Sequence, residues 1–241
     1  MLERTALLSE QLCSADPGVR YDAIRMARVL IGQWRGDHSG LVVLIAGCLL
    51  PEDAYTSAAA AEALGALGPV SEPAREALAA YVEAARAEHG PRVWAAREQL
   101  VRRAYQEAVR ALACLGDLRA LPCVLEALYE GAEAWRAVQV AGHLGGAAGD
   151  LTPRLSKLLA EVDFADSSQS MSANALVSAL RELADPAAAP ALTTAIVAAV
   201  REEQWHTAAS ALNALASFGR EAAFALEVVR PLADVDVFNG L

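Results

Sequence analysis

Four histidines are the side chains of this sequence best suited to acid–base or metal chemistry, His38, His89, His143 and His206. None belongs to an HExxH pair, and none has a second histidine at helical spacing. Ser210 follows His206 by about one helical turn, but no third group completes a triad. No GxGxxG, Walker A or GxSxG segment is present. The sequence therefore predicts no catalytic residue, no metal site and no cofactor, and it favours a non-enzymatic protein.

The cysteines show no CxxC pair and no spacing typical of a zinc site; they are Cys13, Cys48, Cys114 and Cys123. We expect free thiols in a reducing cytosol. The N-terminal MLERTALLSEQL lacks the uninterrupted apolar core of a signal peptide. The longest apolar run, from Leu41 to Leu50, is about half of what a bilayer crossing needs. A soluble, cytoplasmic protein without a membrane partner is predicted.

Composition narrows the fold class and the choice of partner. Hydrophobic residues make up 55% of the 241 residues and aromatic residues only 5%, so alanine dominates the apolar set. Because alanine is the best helix former, we expect an all-α protein. The net charge is −10 and Lys157 is the only lysine, which disfavours nucleic acid as a partner. A local basic face remains compatible with that net charge.

Internal repeats organise the chain. Several apolar segments end alike, on average about 38 residues apart, at Gly68, Gly116, Gly145, Ala184 and Gly219. The predicted helix pairs are 2–12 with 18–33, 39–50 with 53–67, 72–87 with 94–115, 119–130 with 132–145, 151–161 with 170–184, and 188–202 with 204–218. A last helix is expected near 220–233. The whole of 1–241 is predicted to be one repeat domain with an insertion near 87–97.

The joints between helices share a pattern of Asp followed by Pro. In GDLRALPCVLEAL, Asp117 precedes Pro122 by five positions, and in ADPAAAPALTTAI, Asp185 precedes Pro190 by five. The aspartates are expected to accept hydrogen bonds from free backbone amides at the start of the next helix. The prolines must lie near a helix start, because an interior proline removes a backbone hydrogen bond. The pattern predicts helix joints rather than catalytic loops.

These two phrases, together with DPGVRYDAIRMA, resemble HEAT repeats of the short bacterial type that also occurs in phycobilin lyases. The resemblance extends over nearly the whole chain. It implies a right-handed α-solenoid of about six helix pairs plus a C-terminal helix. It also implies that the second helices line a concave face on which such proteins commonly bind partners.

A polar stripe opposite the apolar stripe of these second helices carries the candidate partner-binding residues. Together with the first two repeats it contains five arginines and three glutamates, a mildly basic surface suited to an anionic ligand. The candidates are Arg25, Arg28, Arg103, Arg110, Arg136, Gln139, His143, His206 and Asn213. Trp94, in the insertion beside two arginines, is added as a loop-tip contact. The alternative is that the stripe is an ordinary solvated helix face, and that Trp94 packs the loop onto the helices.

The preferred functional hypothesis is a scaffold that binds an acidic protein or peptide in its concave face. One alternative is a DNA glycosylase of the HEAT-like alkylpurine type or another nucleic-acid-binding protein. A lyase or chaperone for a tetrapyrrole or other small molecule is a further alternative, suggested only by the resemblance. The sequence leaves the oligomeric state open, including self-association through terminal repeats and a longer parent array.

Overall fold

The segments with helical periodicity form α-helices in the computed structural model. The structure describes residues 2–130 and 134–233. No strand occurs in those two stretches, so the all-α class is confirmed, and each predicted helix has a counterpart. The α-helices are α1 (Leu2–Leu12), α2 (Pro17–Gln33), α3 (Ser39–Ala46), α4 (Ala54–Leu67), α5 (Arg75–His89), α6 (Gln99–Cys114), α7 (Leu121–Glu130), α8 (Ala134–Ala141), α9 (Thr152–Ala160), α10 (Ser170–Leu183), α11 (Ala189–Arg201), α12 (Trp205–Ser217) and α13 (Ala225–Ala233). Short 3-10 helices join several of them.

Four predicted helices are at least four residues shorter than their periodicity suggested: α3 ends at Ala46 rather than 50, and α13 begins at Ala225 rather than 220. The two largest differences are in α6 and α8. Helix α6 begins at Gln99 rather than near 94, because the backbone forms a 3-10 turn over Pro91–Ala95 and then extends through Glu98. Helix α8 ends at Ala141 rather than 145, where a glycine-rich segment leaves the helical conformation with Gly145 at a φ of 66°. Proline overrides the apolar spacing before α6, and glycine overrides it after α8.

The predicted joints are confirmed in their local geometry. Asp117 and Asp185 each accept a hydrogen bond of 3.0 Å from the backbone amide two residues further on. Pro122 and Pro190 are the second residues of α7 and α11, where no intrahelical amide bond is lost. The preceding helices end with a left-handed residue, Gly116 at a φ of 66° before the first joint and Ala184 at 52° before the second.

The chain divides into two compact units, Met1–Ala127 and Leu128–Leu241. In the first unit, α4 lies between α2 and α6 and contacts both, while α1 contacts α3. In the second unit, α10 contacts α8 and α12, and α11 contacts α9 and α13. Within each unit, helices that are alternate along the chain therefore pack side by side. The residues that α4 buries are small apart from Leu64, which suits a helix packed between two neighbours.

An ion-pair network ties the third helix pair of the first unit to the following joint. Arg75 binds the carboxylate of Asp117 at 3.2 Å and the carbonyl oxygen of Leu115 at 3.1 Å. Arg119 binds Asp117 at 2.7 Å and Glu76 at 2.8 Å. The hydrogen bond from Arg119 is the main cause that lowers the pKa of the largely buried Asp117 to about 2. Asp117 thus both caps a helix start and joins two arginines.

Candidate functional site

Three helices of the first unit present the predicted polar stripe to one shared cavity of about 310 Å³. We name it the arginine groove and define it by its principal lining residues, Tyr21, Arg25 and Arg28 of α2, Tyr55 and Glu62 of α4, and Arg103 of α6. The residues from α2 recur at intervals of three and four, so they share one helix face. The structure therefore brings together three of the five arginines that the sequence singled out.

A single carboxylate is shared by two of these arginines. Arg103 binds Glu62 at 2.7 Å, and Arg28 approaches the other carboxylate oxygen at 3.7 Å. All three side chains are about half exposed, so each pair is weak and exchangeable with an external partner. Arg25 forms no ion pair with any residue in the described parts of the chain. Three guanidinium groups against one carboxylate leave the arginine groove with an excess of two positive charges.

Two tyrosines form an aromatic wall of the arginine groove. The rings of Tyr21 and Tyr55 stack with centroids 4.8 Å apart and an interplanar angle of 19°. The guanidinium of Arg25 lies 5.8 Å from the centroid of Tyr21, at the outer limit of a cation–π contact. The stacked rings restrict the side-chain freedom of the wall, so an anion meets arginines on a comparatively rigid support.

The start of α4 is fixed relative to α2 by a second ion pair. Arg20 of α2 binds Asp53 at 2.5 Å, and both side chains are mostly buried. Asp53 also accepts a hydrogen bond from the amide of Thr56 and so caps α4. Burial works to raise the pKa of Asp53, but the hydrogen bonds from Thr56 and Arg20 outweigh it and lower the pKa. This contact sets the relative position of the helices that carry Tyr21 and Tyr55.

Arg110 lies on the same helix as Arg103 but outside the arginine groove. Seven residues separate the two, which is about 10 Å along an α-helix. Arg110 binds Glu107 at 3.2 Å, and that glutamate is mostly buried against the helices. The charge of Arg110 is thus already paired with a carboxylate that lies one turn away within α6.

The predicted candidates from Arg136 onwards belong to the second unit. Gln139, His143, His206 and Asn213 are exposed, and Arg136 lies with its guanidinium 5.1 Å from the ring of Trp135. Neither histidine forms a hydrogen bond or an ion pair with any described residue. His206 lines an apolar cavity of about 470 Å³ between α11, α12 and α13, together with Trp205 and Leu212. Among the residues described, no polar cluster comparable to the arginine groove joins these five.

Trp94 corrects one prediction. Only 2% of its surface is exposed, and its ring meets Tyr105 edge-on with centroids 5.6 Å apart. The insertion folds back as a 3-10 turn and places the indole in the core of the first unit. Trp94 therefore packs the insertion onto the helices and does not present a ring to a partner.

Three lining residues of the arginine groove were not among the predicted contacts. Tyr21, Tyr55 and Glu62 lie on the polar stripe, but the sequence gives no sign that the tyrosines stack or that the glutamate pairs with arginines from two other helices. The signal that could have found them is their shared stripe position, because side chains on one stripe of neighbouring helices converge.

Two of the four cysteines, Cys48 and Cys123, are buried as free thiols. Burial raises the pKa of the Cys48 thiol to about 11, and it also raises the pKa of Cys123. Within 2–130 and 134–233, no three His, Cys, Asp or Glu side chains are placed to share a metal ion. Across the same residues, no helix combines the length and apolarity needed to cross a bilayer.

Comparison of the whole chain with protein-family models, and with curated protein sequences, gave no match.

Proposed function

We propose that this protein is a non-enzymatic binding protein that holds an acidic segment of a protein partner in the arginine groove. The observation that carries the proposal is the convergence of Arg25, Arg28 and Arg103 on one cavity that contains a single carboxylate. Guanidinium groups match carboxylates in shape and charge and bind them through paired hydrogen bonds. The stacked tyrosines add contact area for the aliphatic parts of acidic side chains.

A HEAT-like, right-handed α-solenoid is the proposed architecture behind this site. The side-by-side packing of alternate helices in each unit supports it, as do the Asp–Pro joints. In that architecture α2, α4 and α6 are successive second helices, so the arginine groove would lie on the concave face. Partner binding on that face is the common use of such folds.

A short acidic peptide segment suits the arginine groove better than nucleic acid does. The positive excess is confined to a cavity of about 310 Å³ on a chain whose net charge is −10. A nucleic acid strand carries its charge along its whole length, so the phosphates beyond the groove would meet an acidic protein. An acidic peptide can concentrate two or three carboxylates within the cavity and continue with neutral residues.

Fluorescence anisotropy with a labelled octa-glutamate peptide tests the proposal. The double variant Arg28→Gln/Arg103→Gln removes two guanidinium groups and keeps polar, helix-compatible side chains. We expect it to weaken binding about tenfold, which corresponds to about 1.4 kcal/mol. Arg201→Gln is the control for one lost arginine, since Arg201 is highly exposed on α11 and distant in sequence from the groove helices.

Three results would count against the proposal. Failure of the wild-type protein to bind octa-glutamate would reject it, as would an equal loss of affinity in Arg201→Gln. Tighter, arginine-dependent binding of a labelled single-stranded oligonucleotide would replace the acidic peptide with nucleic acid as the ligand class.

A further inference from the structure

An apolar groove borders the arginine groove on the other side of α2. It is a cavity of about 740 Å³ between α1 and α2, which we name the apolar groove. Four large apolar side chains that line it are about half exposed, namely Leu7 of α1, Met26 and Val29 of α2, and Trp34 at the end of α2. Its volume lies in the range of cavities that hold peptide side chains or drug-sized ligands.

The two grooves are continuous through shared arginines. Arg25 and Arg28 line both cavities. On α2, Met26 and Val29 are the immediate neighbours of these arginines in sequence, so each pair is separated by about 100° around the helix. The apolar side chains thus form one stripe of α2 and the arginines form the adjacent stripe. A ligand that contacts Arg25 and Arg28 from the arginine groove needs only to cross the ridge of α2 to reach the apolar groove.

We propose that both grooves bind one segment, an acidic and apolar amphipathic stretch of a partner protein. This inference rests on the proposed function and specifies the partner's sequence chemistry. Carboxylates of the segment pair with Arg25, Arg28 and Arg103, and its apolar side chains cover Leu7, Met26, Val29 and Trp34. The long stems of Arg25 and Arg28 are apolar as far as the guanidinium, so they form a continuous support between the two chemistries.

Charge complementarity selects this occupant over a purely apolar one. The polar border of the apolar groove includes Arg25 and Arg28 against one carboxylate, that of Asp22. A wholly apolar ligand would cover guanidinium groups without providing acceptors for them, and such desolvation is unfavourable. A segment that places acids next to apolar residues satisfies both stripes of α2 at once.

Two peptide probes of equal length test the inference. The first is a 14-residue peptide of Leu and Glu with Leu at helical intervals of three and four; the second is 14 residues of Glu. We expect wild-type protein to bind the Leu/Glu peptide at least tenfold more tightly than the all-Glu peptide. The double variant Met26→Gln/Val29→Gln alters only exposed side chains of α2, and it should reduce Leu/Glu binding to the all-Glu level.

The two double variants together separate this inference from the function on which it rests. Arg28→Gln/Arg103→Gln should weaken binding of both peptides, while Met26→Gln/Val29→Gln should leave all-Glu binding unchanged. Val197→Gln on α11, where the valine is 39% exposed, is the control for loss of an exposed apolar side chain. Circular dichroism and thermal melting of every variant verify that the helices are retained.

The outcomes discriminate clearly. If wild-type protein binds both peptides equally, or if Met26→Gln/Val29→Gln binds the Leu/Glu peptide normally, the inference is wrong and the proposed function stands. If neither peptide binds, the proposed function fails together with the inference. Sedimentation velocity tests the competing occupant: a dimer that Met26→Gln/Val29→Gln dissociates would assign the apolar groove to a second copy of this chain and overturn the inference.

Discussion

Glu62 supplies the carboxylate among the lining residues of the arginine groove. Its carboxylate contacts Arg103 at 2.7 Å and Arg28 at 3.7 Å, the positions that a carboxylate of the partner would occupy. An incoming acid that pairs with Arg28 or Arg103 must therefore displace an internal one. Because all three side chains are about half exposed, the exchange costs little, and each lost pair is worth about 0.2–1 kcal/mol.

Glu62→Gln should consequently strengthen acidic peptide binding. The substitution keeps the size of the side chain and removes the competing charge, so we expect affinity for octa-glutamate to rise about three- to fivefold. Fluorescence anisotropy measures the change. Glu83→Gln, at an exposed position of α5, alters net charge equally outside the groove. Unchanged affinity in Glu62→Gln, or an equal gain in Glu83→Gln, would show that Glu62 does not compete.

Residue patterns in the sequence predict which arginines share a face but not how they are paired. The positions of Arg25, Arg28 and Arg103 on the polar stripe follow from helical periodicity, which is a local property of each helix. The pairing of Glu62 with two of them depends on the placement of α4 between α2 and α6, and that placement comes from tertiary packing. Local periodicity carries no information on such distances.

Burial was the property least accessible from sequence. Trp94 follows a Gly-Pro turn, which favours exposure, yet its ring is covered by contact with Tyr105. Met26 and Val29 have the chemistry of core residues, yet about half of each side chain is exposed. Residue type describes what a side chain prefers, whereas burial depends on which helices lie over it.

At the scale of elements, the helix joints tolerate different residues in the same conformation. The position before the joint aspartate is left-handed in both quoted joints, with Gly116 in one and Ala184 in the other. Glycine adopts this conformation without a steric penalty, whereas alanine carries a Cβ that crowds the following carbonyl. The joint at Ala184 therefore contains strain that the joint at Gly116 avoids.

Relief of that strain is testable with one substitution. Ala184→Gly should raise the free energy of unfolding by about 0.5–1 kcal/mol, because the strain exceeds the entropy cost of glycine. Ala175→Gly, in the interior of α10, should instead lower it by about 1 kcal/mol. Urea denaturation followed by circular dichroism gives both values. The same sign for both substitutions would show that the strained conformation of Ala184 has no energetic effect.

At the scale of the whole molecule, the charge distribution opposes long-range attraction of the proposed ligand. The net charge of −10 repels an acidic partner at distances beyond the groove, while the arginine excess attracts it within. The Debye length at physiological ionic strength is about 8 Å, so both effects are local. A local match between the arginines and an acidic partner would favour selective binding at contact. It would not speed up the diffusional association of the two proteins.

Acid stability of the protein should depend on Asp117. Its pKa of about 2 in the folded state lies below the ordinary value of 3.8, so its ionised form stabilises the fold above about pH 4. That stabilisation is lost as the pH falls towards 2. We expect the wild-type protein to lose about 2 kcal/mol from this group, and Asp117→Asn to lack that part of the pH dependence. Thermal melting between pH 5 and pH 2 measures the effect.

The control for this prediction is Asp166→Asn. Asp166 also accepts a hydrogen bond at a helix joint, but it is exposed and forms no ion pair with any residue of the described chain. Asparagine can still accept the capping hydrogen bond in both variants. If Asp117→Asn and wild type lose stability in parallel down to pH 2, the arginine contacts of Asp117 do not stabilise the fold.

The arginine groove also has a consequence for synthesis of the chain. Its residues extend from Tyr21 to Arg103 and come from three successive helix pairs, none of which supplies the whole set. A nascent chain that ends before Gln99 already carries Arg25, Arg28 and Glu62 but lacks the third helix with Arg103. A partner that requires all three arginines would therefore bind the first unit only after ribosomes have translated α6. Such a partner would not bind shorter nascent chains.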